Sequence, residues 1–170
     1  MLHVCRVVAG VSGSPGSVHA LRHAAGLARD RDAVLIPLLA WVPPDSNRLP
    51  WPELREIWKD DAWQRLWHAL DTAFGGLPAG IATQPVVLRG KAGPVLTAVA
   101  GQPGDVLVIG AGRRGLLRRM WNCRVVRYCL GHAHCPVLAI PPPSLAQQAG
   151  HGLRGWAFRH RWTQPTAQPA

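Results

Sequence analysis

The chain has no carboxylate side chain after Asp105. Residues 1–105 hold 10 basic and 9 acidic side chains, whereas residues 106–170 hold nine arginines and no acid. Nearly all of the formal charge of +10 therefore lies in the last third. Such a face favours anionic partners (phosphates, nucleic acid or an acidic membrane), or it is solvated basic surface in a chain where arginine outnumbers lysine 17 to 2. No apolar run reaches about 18 residues, which argues against a membrane-spanning helix. The start, "MLHVCRVVAGV", has no basic leader and no small-residue cleavage site, so no signal peptide is expected. Cys5, Cys123, Cys129 and Cys135 make no C-x-x-C pair, which points to reduced thiols and a cytoplasmic protein. The cluster Cys129, His132, His134 and Cys135 lacks a second ligand pair, and its side chains are expected to diverge between a helix end and a strand start. No metal site is expected. No G-x-S-x-G elbow is present, so Ser12, Ser14 and Ser17 are not read as nucleophiles, and Ser14 is read as a helix cap.

What is present is a core-forming chain of 170 residues, 48% apolar, with strand-length and helix-length runs in alternation. Strands are expected over 4–11, 33–41, 83–89, 105–109 and 136–140. Ser14 and Pro15 open a first helix, in which Val18, Leu21, Ala25 and Ala28 recur at helical spacing. Pro52 opens a second, with Leu54, Ile57, Leu66, Ala69, Leu70 and Ala73 assigned to one face and Gly75-Gly76 at its end. Trp63 and Trp67, four apart, should stack on its flank. A short helix spans 92–100 and another 125–132. Continuously apolar strands between helices mean a parallel sheet covered on both faces. The expected fold is α/β, a five-stranded parallel doubly wound sheet in the order 3-2-1-4-5. Its switch point lies between strands 1 and 4, where "GVSGS" and "GAGRRG" meet.

"DVLVIGAGRRG" supplies Gly110, Gly112 and Gly115, the G-x-G-x-x-G spacing of a dinucleotide turn. That turn needs an acid about 20 residues on for the ribose, and none follows Asp105. The spacing sits on the fourth strand with only one strand left, and it is read as incidental.

Three segments together resemble the universal stress protein family: "RVVAGVSGSPGSVHALRHAAGLARDRDAVLIPLLAW", "PVVLRGKAGPVLTAVAGQPGDVLVIGAGRRG" and "CRVVRYCLGHAHCPVLAIP". The resemblance covers about residues 4–141 and implies a Rossmann-like domain of the adenine nucleotide alpha hydrolase-like kind over 1–141. Residues 142–170 would form a basic tail, disordered in isolation. Nucleotide-binding members of the family carry G-x-x-G, nine residues, then glycine and a hydroxyl residue. Here the pattern falls on Gly110, Arg113, Cys123 and Arg124, so only the first glycine survives. The family's acid after the first strand is Ser12, next to Val11, and Ala40 stands where the second strand lines adenine.

Side chains at 113 and 123 crowd a phosphate path that glycine would leave open. Against that, Arg113, Arg114, Arg118, Arg119 and Arg124 could grip phosphate through guanidinium forks, with Gly112 and Gly115 as a shifted backbone nest. The resemblance thus implies a non-enzymatic stress-response or regulatory binding protein with lost or weakened ATP binding and no expected cofactor. The first alternative is an ATP or AMP binder using the arginine-rich loop. The second is a nucleic-acid or anionic-membrane surface binder using that loop and the tail, where Arg154, Arg159 and Arg161 interleave with Trp156, Phe158 and Trp162. A protein partner is a further candidate, through the tryptophans of the second helix. A homodimer through the last strand, Val137, Leu138, Ala139 and Ile140, is also implied.

Overall fold

The computed structural model describes residues 5–43, 52–111 and 119–142, with side chains excepted at 52–54 and 119–123. Its elements alternate as β1 (Arg6–Gly10), α1 (Pro15–Asp30), β2 (Val34–Trp41), α2 (Pro52–Phe74), β3 (Val86–Arg89), α3 (Ala92–Val99), β4 (Val106–Gly110), α4 (Arg119–His132) and β5 (Val137–Ile140). The five strands form one sheet in the order β3-β2-β1-β4-β5, every pair parallel. This is the expected order. The proposed tail lies outside the described residues.

Alternation along the strands separates two apolar layers. Val7, Ala9, Leu35, Leu39, Val106 and Val108 face α1 and α2, meeting Leu21, Ala24, Ala28, Leu66 and Leu70. Val8, Ile36, Leu38, Leu107 and Ile109 face α3 and α4, meeting Leu96, Ala100 and Cys129. The strands read as unbroken apolar runs because both of their faces are covered.

The first helix begins as its sequence requires. Ser14 is the N-cap, its hydroxyl accepting from the Ser17 amide at 3.3 Å, and Pro15 takes the first helical position. The helix closes with Asp32 in the left-handed region at φ 49°. There the Ala33 amide donates to the Ala28 carbonyl at 2.8 Å and the Asp32 amide to the Arg29 carbonyl at 3.3 Å.

Three expectations need correction. The third strand was expected from Thr83, but regular pairing begins at Val86, with Thr83 making only an isolated bridge to Leu35. Leu35 turns both its amide and its carbonyl to this edge, at 2.9 Å from Ala82 O and Gln84 N. By strand alternation Pro37 faces the same edge without an N–H to donate, and Pro85 lacks one too, so the ladder skips there. Ile57 was placed on the core face of α2 but is exposed, while Ala62, Leu66, Ala69 and Leu70 are buried. At about 100° per residue, Ile57 lies nine residues and half a turn from Leu66. The last helix was expected from Val125 but starts at Arg119. Arginine and methionine are strong helix formers, which extends the helix upstream of Val125.

Candidate functional site

The carboxyl ends of β1 and β4 meet at the point where the strand order reverses, the usual crevice of an open parallel sheet. On the β1 side the turn 11–17 is closed by its own hydroxyls. Val11 is buried and donates its amide to Leu38 O at 2.8 Å. The Ser12 amide donates to Ser17 Oγ at 3.2 Å, Ser17 Oγ donates to Ser14 O at 2.8 Å, and the Ser12 and Ser14 hydroxyls share a bond of 3.0 Å. Gly13 sits at φ 75°, which glycine adopts freely. The N-terminus of α1 is therefore largely satisfied from within: Pro15 has no N–H, Ser17 is capped, and the Val18 amide reaches Ser14 O at 3.0 Å.

On the β4 side Gly110 is pressed onto the first turn of α1. A Cβ built on it would stand 2.8 Å from Gly16 O and 3.2 Å from Ser17 N, a backbone clash with no flexible group to give way. Its lack of a side chain lets helix and strand pack closely, one of the roles glycine has in such turns. Ala111 continues towards β5, its amide donating to Ile140 O at 2.7 Å. Ala40, half-buried, pairs with Leu88 of β3 at the other side of the sheet. Beside it, Ala40, Trp41, Val42, Trp58, Asp61 and Arg65 line an open cavity of about 420 Å³. Asp61 and Arg65 pair across its rim at 2.9 Å. Nothing in the alternation of strands and helices signalled this hollow, because it depends on how α2 lies against the end of β2.

Of the rest of the expected phosphate pattern, the backbone of Cys123 and Arg124 is described. Cys123 and Arg124 are not at a helix start: they lie in the second turn of α4, which begins at Arg119. In an α-helix only the first turn leaves its amides unpaired; from the fifth residue on, each donates to the carbonyl four back. The amides of Cys123 and Arg124 are thus consumed by the helix, and the Arg124 side chain is exposed. Gly112, Arg113, Arg114, Gly115 and Arg118 lie outside the described residues.

The four-residue cluster near the end of the chain behaves otherwise than expected in one respect. Cys129 and Cys135 do not diverge: both pack into the layer under α3 and α4. Burial pushes the Cys129 thiol up to about 11, with the neighbouring Cys135 adding to the shift, and burial raises Cys135 as well. His132 turns away to stack on Tyr128, with ring centroids 4.0 Å apart. Trp63 and Trp67 stack along α2 at 6.5 Å, as their spacing suggested. Among the described residues no group of three or more His, Cys, Asp or Glu is placed to hold a metal, and no helix is long and apolar enough to cross a membrane.

A five-stranded, all-parallel, doubly wound sheet with its crevice between β1 and β4 defines a Rossmann-like α/β domain. Within that class the chain belongs to the universal stress protein family, whose family profile matches residues 4–141. No curated protein matches it. Among solved structures it is similar to the universal stress protein UspA from Lactobacillus plantarum, at 19% identity and a TM-score of 0.59, covering 82% of this chain and 99% of that one. A universal stress protein from Archaeoglobus fulgidus is similar at 21% identity and a TM-score of 0.57, covering 82% and 99%. A universal stress protein in complex with cAMP is similar at 23% identity and a TM-score of 0.57, covering 82% and 98%. At these identities the likeness establishes the fold.

Proposed function

We propose that this chain is a non-enzymatic, regulatory universal stress protein that has lost high-affinity ATP binding. The observation that carries the reading is the early start of α4. It buries the Cys123 and Arg124 amides in helical hydrogen bonds at the two positions where a phosphate would need a glycine and a hydroxyl. Ser12, in place of the family's acid, is engaged with Ser14 and Ser17. The same hydrogen bonds support a non-enzymatic role, since they tie the three serines to one another and to the turn. The protein acts in the cytoplasm as a homodimer. Support for the dimer comes from β5, an edge strand of the sheet on which Leu138 is 41% exposed.

Equilibrium dialysis with labelled ATP tests the reading. No saturable uptake in the micromolar range is expected, and saturable micromolar binding overturns it. The similar universal stress protein solved with cAMP favours a second reading, an adenine-nucleotide site that survives here with arginine holding the phosphate. Dialysis with labelled cAMP and AMP in parallel separates the two readings.

A further inference from the structure

α1 carries two histidines one helical turn apart, the half-buried His19 and the exposed His23. Residues at i and i+4 share a helix face, and here the two rings meet. The Nε2 atoms are 3.2 Å apart and the ring centroids 4.7 Å apart, in an edge-to-face arrangement. We propose that His19 and His23 form a two-imidazole chelate for a divalent transition cation of the zinc type.

The distance carries the argument. Imidazole nitrogens bind Zn²⁺ at about 2.0–2.1 Å, so two such bonds spanning 3.2 Å enclose an angle of about 100° at the metal, close to tetrahedral. The two Nε2 atoms already stand within the span of one cation, which would replace the hydrogen bond between them. The chemistry balances without loss of a proton. In the metal-free pair one ring donates Nε2–H to the Nε2 of the other. On binding, that ring shifts its proton to Nδ1 through solvent, and both rings coordinate as neutral imidazoles. Since no third protein ligand joins them among the described residues, water would fill the remaining positions.

One neighbouring cation is engaged elsewhere. Arg22, on the same flank of α1, is held away by two bonds to the C-terminal carbonyls of α2, from Nε to Ala73 O at 3.2 Å and from Nη2 to Thr72 O at 2.7 Å. His23 is exposed and His19 half-buried, so a hydrated ion meets the pair from the His23 side. This chelate uses neither Cys129 nor Cys135.

The test is site-resolved carbethoxylation of the full chain by diethylpyrocarbonate, which attacks neutral imidazole nitrogen, across a Zn²⁺ titration. Trypsin cleaves after Arg22, so His19 and His23 report on separate peptides and zinc bound at cysteines or other histidines does not interfere. The expected result is protection of both peptides with one common Zn²⁺ midpoint. In His23→Gln, whose fold is verified by circular dichroism, the His19 midpoint should rise by at least about tenfold, because the chelate is reduced to a single ligand. Absence of zinc-dependent protection, different midpoints for the two peptides, or an unchanged His19 midpoint in His23→Gln would each overturn the proposal.

Discussion

Arg6 and Asp105 form a two-pronged ion pair at the amino ends of β1 and β4, Nε to Oδ1 at 2.9 Å and Nη2 to Oδ2 at 2.6 Å. Asp105, the last acid in the chain, is 1% exposed and Arg6 22%. The carboxylate also accepts the Gln102 amide at 2.8 Å, and Arg6 Nη2 donates to Val99 O at 2.9 Å. The last acid in the chain is therefore spent on the sheet, at the end opposite the crevice. The pair raises the Arg6 guanidinium above its ordinary value, the hydrogen bond to Asp105 being the main cause.

Breaking this pair from one side leaves a buried charge without its partner. Arg6→Met should destabilise the fold by about 3–5 kcal/mol, and Arg6→Met with Asp105→Leu should recover a large part of that loss. Urea unfolding of the single and double variants measures both. A loss under about 1 kcal/mol for Arg6→Met would show that the pair is replaceable by solvent.

Gly110→Ala drives a methyl group into the Gly16 carbonyl. The expected cost is about 1–3 kcal/mol, the usual penalty of overpacking. A thermal melt equal to that of the unaltered protein would mean that α1 can retreat from β4, and that Gly110 is not held by packing.

The Cys129 thiol sets a pH dependence whose sign follows from its raised value of about 11. Between about 9 and 11 the unfolded chain ionises this thiol while the folded chain keeps it protonated, so the unfolded state binds fewer protons. Stability is thus fully present below the unfolded value and falls as pH rises through that window; Cys135 shifts in the same direction. The urea midpoint should drop between pH 8.5 and pH 10.5, roughly the span of these values, and drop less in Cys129→Ala. A parallel pH profile for the variant would assign the effect to other groups.

Restoring the family pattern tests the account of its loss. Arg113→Gly, Cys123→Gly and Arg124→Ser together remove the crowding side chains, return a hydroxyl, and weaken the start of α4 by about 1 kcal/mol through the helical glycine. ATP affinity should improve at least about tenfold in dialysis, a gain near 1.4 kcal/mol. An unchanged affinity would place the defect elsewhere, with Ser12 the next candidate.

On the proposed dimer, Leu138→Lys puts a charge on the exposed edge strand and should shift sedimentation towards monomer. A sole monomer in the unaltered protein at tens of micromolar removes the proposal.

The layering was legible in the sequence because it follows from periodicity, and the sheet order because alternating strands and helices with right-handed crossovers wind doubly. Apolar strands such as Leu35–Leu39 can only be covered on both faces, and Ser14-Pro15 can only begin a helix economically. Element ends were less legible. Val86 and Arg119 begin their elements where they do because of Pro37 across the ladder and of the helix propensity of arginine and methionine.

The candidate site divides in the same way. The substitution of Arg113, Cys123 and Arg124 for the pattern's small residues is a fact of the sequence alone. Where α4 starts decided that the amides at 123 and 124 are spent inside it, and tertiary structure decided that Gly110 serves packing against Gly16 and Asp105 serves Arg6. The physical reason is one of range. Periodicity and local propensity act over a few residues and are written in the chain's order, whereas these contacts join backbone and charge up to 99 positions apart. Only the assembled sheet brings the last pair within bonding distance.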